Sequence, residues 1–148
     1  MKRQRISAKD APATQVADSS RLIQYYWKQL ISRNGMEIST RQWVALNELH
    51  HKGEMFQKEF VDETYDDRPT VANMISSLMK KGLVIKEPDS IDRRKHRIRL
   101  TPEGEEVQYK LSNIVKSGRQ KMHKGLNHSD FIELKRILGT LNKNILED

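Results

Sequence analysis

The sequence predicts a mainly α-helical fold with one small β-hairpin. Leucine and isoleucine recur at helical spacing through most of the 148 residues, while aromatic residues supply only 6% of the chain. Residues 83–85 and 98–100 are short apolar runs typical of strands, and turn formers and bases fill most of the segment between them. Gly82 precedes the first strand and Thr101-Pro102 follows the second. The hairpin therefore stands between the end of one helix and the start of another.

Charge and composition narrow the classes of partner and site. The net charge is +7 with a pI near 9.7, and residues 80–99 alone hold eight basic against three acidic side chains. This concentration indicates a polyanionic partner. The absence of cysteine excludes a disulfide framework, a thiolate metal site and a cysteine redox sensor. No apolar run approaches the ~20 residues that span a bilayer, and no secretory signal opens the chain, so a cytoplasmic protein without membrane contact is expected.

The first half of the chain predicts an arm followed by three helices. Residues 1–12 are basic and almost without apolar side chains, which indicates a flexible arm. Residues 13–35 predict the first helix and its Asn-Gly stop, and Ser39 opens a second helix in a capping box with Gln42. A short third helix is expected near residues 57–64. Its exposed acidic side chains would be repelled by phosphate, so this helix is expected to support its neighbours.

The fourth helix has two unlike faces. It begins after Asp67 or Arg68, with Pro69 in its first turn. On a helical wheel the inner face collects Val71, Ala72, Ile75, Leu78 and Met79. The outer face collects short polar side chains and two final lysines, with Met74 at the border: Thr70, Asn73, Ser77, Lys80 and Lys81. A solvated face would more often carry long charged side chains, whereas this face can lie close against base edges in a DNA groove.

The third and fourth helices, joined by a tight turn, predict a helix-turn-helix. A β-hairpin directly after such a pair is a wing, and its basic tip suits the narrow, electronegative minor groove. Residues 103–148 then predict a long helix and a last helix whose apolar residues alternate by three and four: Phe131, Leu134, Leu138, Leu141 and Ile145. Together with Ile23 and Trp27 they are expected to form a dimerisation layer, because two-fold readers of duplex DNA are common. Packing within one chain is the alternative.

Three segments in the expected order resemble the MarR family of regulators. Asp92-Arg93-Arg94 followed by residues 98–104, IRLTPEG, is similar to the family's D-x-R…L-T-x-x-G wing signature. Residues 70–84 resemble its recognition helix and L-x-x-K-G-L-V exit, and residues 38–43, ISTRQW, are similar to the start of its second helix. The resemblance implies a winged helix-turn-helix domain in residues 36–102, flanked by N- and C-terminal dimerisation helices.

The same resemblance implies a homodimer that binds a pseudo-palindromic operator in double-stranded DNA, usually as a repressor. It implies no cofactor and leaves open release by a small-molecule ligand. The side chains expected in the major groove are Arg68, Pro69, Thr70, Asn73, Met74 and Ser77. Those expected at the wing and minor groove are Asp92, Arg93, Arg94, Lys95 and Arg97, with Asp92 bracing the wing by pairing with an arginine. Phosphate contacts are expected from Ser39, Lys80 and Lys81.

Other classes of function fit the sequence less well. A winged-helix protein–protein adaptor, or a non-specific DNA-binding protein, is the alternative. An adaptor would more often expose apolar or long charged residues where this chain has Thr70, Asn73 and Ser77. His50 and His51 are neighbours on a helix and point about 100° apart, so they cannot chelate one metal ion together. No nucleophile–base set, phosphate-binding loop or dinucleotide glycine pattern occurs, and neither an enzyme nor a metal site is expected.

Overall fold

The computed structural model describes residues 11–64 and 66–147. Most of the predicted basic arm, and Tyr65 of the turn before the fourth helix, lie outside the described residues. The arm was predicted to extend to residue 12, but the first helix already begins there. In chain order the elements are α1 (Pro12–Arg33), α2 (Thr40–Lys52), β1 (Glu54–Phe56), α3 (Gln57–Thr64), α4 (Arg68–Lys80), β2 (Val84–Pro88), β3 (His96–Leu100), α5 (Pro102–Met122) and α6 (His128–Leu146).

The chain divides into two compact units, Met1–Val115 and Lys116–Asp148. This division falls inside α5, whereas the sequence placed a boundary at residue 103. The first half of α5 belongs to the first unit because its side chains contact α2. Gln108 donates a hydrogen bond to Asn47 over 3.4 Å, and the His50 Nδ1 atom lies 2.7 Å from a carboxylate oxygen of Glu105.

The helix starts follow the capping signals in the sequence. The Ser39 hydroxyl accepts from the Gln42 amide at 3.1 Å, and the Gln42 side chain accepts from the Ser39 amide at 3.0 Å. The capping box is therefore confirmed. Asp67, rather than Arg68, caps α4 by accepting from the Thr70 amide at 2.7 Å. A side-chain acceptor satisfies an amide that the first turn of a helix leaves unpaired.

The sheet has three antiparallel strands in the order β1-β3-β2, one more than predicted. β1 pairs with the root of β3, from Glu54 opposite Arg99 to Phe56 opposite Arg97. Three residues are too few to show strand periodicity, so the sequence did not predict β1. Both hairpin strands are also longer than predicted, since their pairing extends to Pro88 opposite His96. We call β2, residues 89–95 and β3 the wing.

The core of the first unit lies where α2, α3, α4 and the sheet pack together. Its fully buried apolar side chains come from each of these elements: Leu46, Leu49, Met55, Phe60, Val71, Leu78 and Ile98. This packing fixes the helix-turn-helix pair to the wing, because β3 and both helices bury side chains in the same core.

The second unit consists of the end of α5, a short turn and α6. Asn127 and Asp130 form a second capping box at the start of α6, and the His123 and Phe131 rings pack 4.7 Å apart. No residue of α6 is buried. Its apolar side chains therefore have more exposed surface than a helix in a filled core would leave.

Candidate nucleic-acid interface

The outer face of α4 carries small polar side chains, but its border differs from the wheel. Asn73 is exposed and Thr70 half-buried, as predicted for the outer face. Met74 is only 8% exposed and belongs to the core, so its predicted contact with the major groove is not supported by its position. Conversely, Met79 was predicted inside and is exposed, and Ser76 is an exposed polar residue that the prediction omitted. A helical wheel at 100° per residue places Met74 and Met79 close to the boundary between the two faces. Packing against α2 and α3 then decides which of them is buried.

One side chain of α2 reaches the outer face of α4. The Gln42 side-chain amide donates a hydrogen bond to the Ser77 hydroxyl over 3.0 Å, while its oxygen serves the capping box of α2. Gln42 is buried and Ser77 is half-buried. The two helices are thus joined by a polar bridge beside the candidate DNA surface, and Ser77 has one of its acceptor positions occupied.

Asp92 braces the tip of the wing as predicted. Its carboxylate accepts from the Arg94 amide at 3.1 Å and from the Arg94 guanidinium at 3.2 Å. These hydrogen bonds lower the pKa of the Asp92 carboxyl, because they favour its charged form. The Arg94 side chain is nevertheless 92% exposed, and Arg93 and Lys95 are exposed beside it. The tip therefore presents cations to solvent on an ordered turn.

Arg97 was predicted to extend from the wing toward the minor groove, but its side chain lies against the sheet instead. Its guanidinium donates to Asp89 and to Glu54, and it lies 5.0 Å from the centre of the Phe56 ring. The two carboxylates and the aromatic face hold this side chain across the sheet, so its position gives the predicted minor-groove contact no support. Asp89, which sequence reasoning missed, is 4% exposed. A short acid inside a turn-forming segment resembles an ordinary solvated turn residue, and the only available signal was its place just after Pro88.

A cleft brings the start of α4 together with the tip of the wing. Its volume is about 440 Å³, and it is open to solvent. Four basic side chains from three elements line it, Lys58 of α3, Arg68 of α4, and Arg94 and Lys95 of the wing. His96 and the acidic Glu59 also line the cleft, so the bases outnumber the acids there. Phe56 lies beside these side chains, with the Lys95 ammonium 6.0 Å from the centre of its ring. The cleft thus places one predicted major-groove residue beside two predicted wing residues.

The three predicted phosphate contacts lie on the first unit and differ in whether their side chains already have hydrogen-bond partners. Ser39 is exposed, but its hydroxyl already caps α2. The Lys81 ammonium donates to the backbone oxygen of Glu37 over 2.8 Å, which fixes the side chain beside the start of α2. Lys80 is exposed in the last turn of α4. Of the three, Lys80 is exposed without a fixed hydrogen-bond partner in the described part of the chain, whereas both the amide and the hydroxyl of Ser39 are engaged in the capping box.

The predicted dimerisation residues divide into exposed and buried members. Ile23, Leu134 and Ile145 are exposed, as an interface requires, with Leu134 at 51% and Ile145 at 72%. Phe131 is half-buried. Leu138 and Leu141 are also half-buried. Trp27 is instead buried, with its ring 6.0 Å from that of Trp43, and so forms core within the first unit.

Within the described ranges, no group of three His, Asp or Glu side chains could hold a metal ion. In the same part of the chain, no helix is both long and apolar enough to cross a membrane.

Comparison with known proteins identifies the domain. The sequence pattern of the MarR family matches residues 38–96, from the start of α2 to the first residue of β3. Residues 38–96 form a MarR-family domain. The match covers the helix-turn-helix and most of the wing, which are the elements that build the basic cleft. The match is confined to these residues.

Solved MarR-type structures have the same fold over most of their length. BpsR of Bordetella bronchiseptica, whose DNA binding is regulated by 6-hydroxynicotinic acid, superposes with a TM-score of 0.82 at 21% identity, over 92% of this chain and 96% of BpsR. PcaV of Streptomyces coelicolor, solved with its natural ligand, gives 0.81 at 20% identity, over 95% and 97%. A mutant MarR from E. coli complexed with operator DNA gives 0.79 at 18% identity, over 87% and 91%.

Proposed function

We propose that this protein is a homodimeric, sequence-specific DNA-binding regulator, most simply a repressor of a pseudo-palindromic operator. One observation carries the proposal: the open cleft in which Arg68 at the start of α4 meets Arg94 and Lys95 of the wing. A duplex presents its major-groove edges and the adjacent phosphates and minor groove within one helical repeat, so it can fill both surfaces together. A flat basic patch would attract DNA without setting its register.

The residues of α4 and the wing have separate roles in this proposal. The exposed Asn73, with Thr70 and Ser77, faces base edges, where an asparagine amide can pair with adenine. Arg94 and its basic neighbours approach the minor groove, while Lys80 and Lys81 supply phosphate contacts. We assign Met74 and Arg97 supporting roles, because one is core and the other is bound to Asp89 and Glu54.

Dimerisation is supported by the apolar side chains of α1 and α6 that remain exposed. They include Leu22, Ile23, Ile132, Leu134, Ile137 and Ile145. Two subunits related by a two-fold axis would bury these side chains and set two α4 helices about 34 Å apart on one face of the duplex. Sedimentation at micromolar concentration should give twice the mass of the chain. A monomer that shields a single half-site would contradict this arrangement.

The decisive test is selection of bound duplexes from a random library, followed by footprinting. We expect two related half-sites in inverted orientation. Arg94→Ala should weaken binding to the selected duplex by about 1–3 kcal/mol and lower the slope of log affinity against log salt by about 1. Arg136→Ala is a matched control, because Arg136 is also exposed and paired with a nearby acid, Glu133, but lies on α6 away from the apolar stripe.

Selection also separates the proposal from its alternatives. A protein–protein adaptor would enrich no sequence, and random competitor DNA would abolish any gel shift caused by its basic face. A non-specific binder would shift every duplex with equal affinity. Unchanged affinity of Arg94→Ala for a selected duplex would remove the wing from the interface.

A second, wider groove is the place we propose for a small-molecule effector. It lies between α1, α2 and α3, has a volume of about 1100 Å³, and mixes aromatic, apolar and charged side chains, among them Tyr25, Lys28, Arg41 and Val44. Arg41 pairs with Asp66 over 3.1 Å at the turn before α4. An anionic aromatic ligand could compete for Arg41 and thereby disturb that turn. Titration calorimetry with aromatic carboxylates, against Arg41→Gln, tests this; equal binding by both proteins would exclude the groove.

A further inference from the structure

The tip of the wing carries an apolar side chain that electrostatic attraction to DNA leaves unexplained. Ile91 is 90% exposed, the highest value among the large apolar side chains in the described ranges. It stands directly before Asp92, Arg93 and Arg94. A solvated turn at this position would gain nothing from a branched hydrocarbon side chain, which presents its whole apolar surface to water.

Ile91 is held in this position by hydrogen bonds to a buried carboxylate. The Asp89 side chain accepts from the Ile91 amide at 3.2 Å and from the Asp92 amide at 3.0 Å. Its other oxygen accepts from Arg97, which also pairs with Glu54 of β1. The Asp89 amide donates to the Lys95 carbonyl over 2.9 Å and closes the loop. The backbone of Ile91 is therefore anchored to the sheet while its side chain is almost wholly exposed.

An ordered apolar projection among cations matches the chemistry of the minor groove. Its walls are the C–H faces of deoxyribose, and its rims are phosphates. Cations bind the rims, whereas an apolar side chain can pack only against the sugars or between base steps, a use known for isoleucine, leucine and phenylalanine in proteins that bind the minor groove. Because the Ile91 backbone is already fixed, little loop entropy is lost when its side chain is covered.

We propose that Ile91 is an apolar DNA contact that packs against deoxyribose in the minor groove, and that Asp89 is its positioning residue. This inference rests on the proposed DNA-binding function. The tip of the wing otherwise offers DNA mainly cations. Ile91 adds a contact that is insensitive to salt. It also gives the buried Asp89 a role in recognition, since the same carboxylate fixes both Ile91 and the turn from which Arg94 extends.

The experiment compares Ile91→Ser and Ile91→Val on a duplex selected by the unmodified protein. Ile91→Ser should weaken binding by about tenfold, as expected for losing burial of most of an isoleucine side chain. The slope of log affinity against log salt should not change, because no phosphate contact is lost. Ile91→Val should lose no more than about fourfold, since one methylene is removed. Thermal melting of both variants should match the unmodified protein because the side chain buries very little surface within the protein.

Hydroxyl-radical footprinting reads the sugars directly. Ile91→Ser should lose protection of the few sugars beneath the wing and keep protection elsewhere, whereas Arg94→Ala should lower the salt slope. In the Asp89→Ala background, Ile91→Ser should cost less than in the unmodified protein, which is the coupling expected of a positioning residue. Equal affinity of Ile91→Ser and the unmodified protein, or a tenfold loss that disappears at high salt, would overturn the inference. If the unmodified protein selects no duplex, the proposed function fails with it.

Discussion

Gly104→Ala should destabilise the first unit although alanine favours helices. Gly104 lies in the first turn of α5, where an added Cβ would stand 2.0 Å from the Leu83 carbonyl oxygen and 3.3 Å from a methyl of Leu100. The same Leu83 oxygen accepts from the Thr101 amide at 3.1 Å. Backbone atoms cannot rotate away as a side chain does, so the start of α5 must move by more than ~1 Å from the base of the wing.

The magnitude follows from three opposing contributions. Overpacking a close contact costs about 1–3 kcal/mol, and the Thr101–Leu83 hydrogen bond is worth about 0.5–1.5 kcal/mol. Replacing glycine by alanine in a helix returns about 0.5–1 kcal/mol. Because the clash is with backbone and very short, we expect a net loss of about 2–3 kcal/mol.

Urea denaturation followed by circular dichroism measures this loss at fixed protein concentration. Gly139→Ala is the matched control, since Gly139 lies inside α6 and an added Cβ meets nothing within 4 Å. It should gain about 0.5–1 kcal/mol. Midpoints that rise together in the two variants, with unchanged m values, would refute the steric argument at Gly104.

Two further predictions concern the helix-turn-helix. Hydrogen bonding to Thr70 lowers the pKa of the Asp67 carboxyl, so its capping contribution is complete above the ordinary aspartate pKa of ~3.9 and is lost as pH falls through the lower folded value. Asp67→Asn should flatten this part of the stability curve between neutral pH and about pH 3 in urea titrations; an unchanged curve would exclude Asp67 as its source. Gln42→Met should lower the free energy of unfolding by about 1–2 kcal/mol and reduce preference for a selected duplex, while Gln42→Glu, which keeps the capping acceptor, should lose less stability. Equal stability of all three proteins would mean that the bridge to Ser77 contributes nothing.

The helices and the wing could be predicted because their signals are local. Ser39 with Gln42, Asp67 with Pro69, and Thr101 with Pro102 are helix starts that need no tertiary information, and the structure has a helix at each. The family match covers residues 38–43, residues 70–84 and Asp92-Arg93-Arg94, and it ends before residues 98–104.

What the sequence could not give depends on contacts between distant residues. β1 exists because the root of β3 offers it a partner more than 40 positions along the chain. Met74 is buried and Met79 is exposed, the reverse of the prediction. Packing against other elements, rather than the wheel angle, decides which residue at the border is covered. Arg97 differs from Arg94 only through Glu54, Asp89 and Phe56, none of which a local reading connects with it.

The order of the sheet has a mechanical consequence for the wing. Because β3 is the middle strand, β1 and β2 clamp it on both sides up to Arg97, and the loop that overhangs the last paired residues comprises only residues 89–95. A short loop on a strand that is paired on both sides bends little when a force acts on its tip. Strain imposed by DNA at the tip should therefore pass into β1 and the α2–α3 connection rather than dissipate in the loop. We expect the wing to move together with α2 and α3 rather than to bend at its tip.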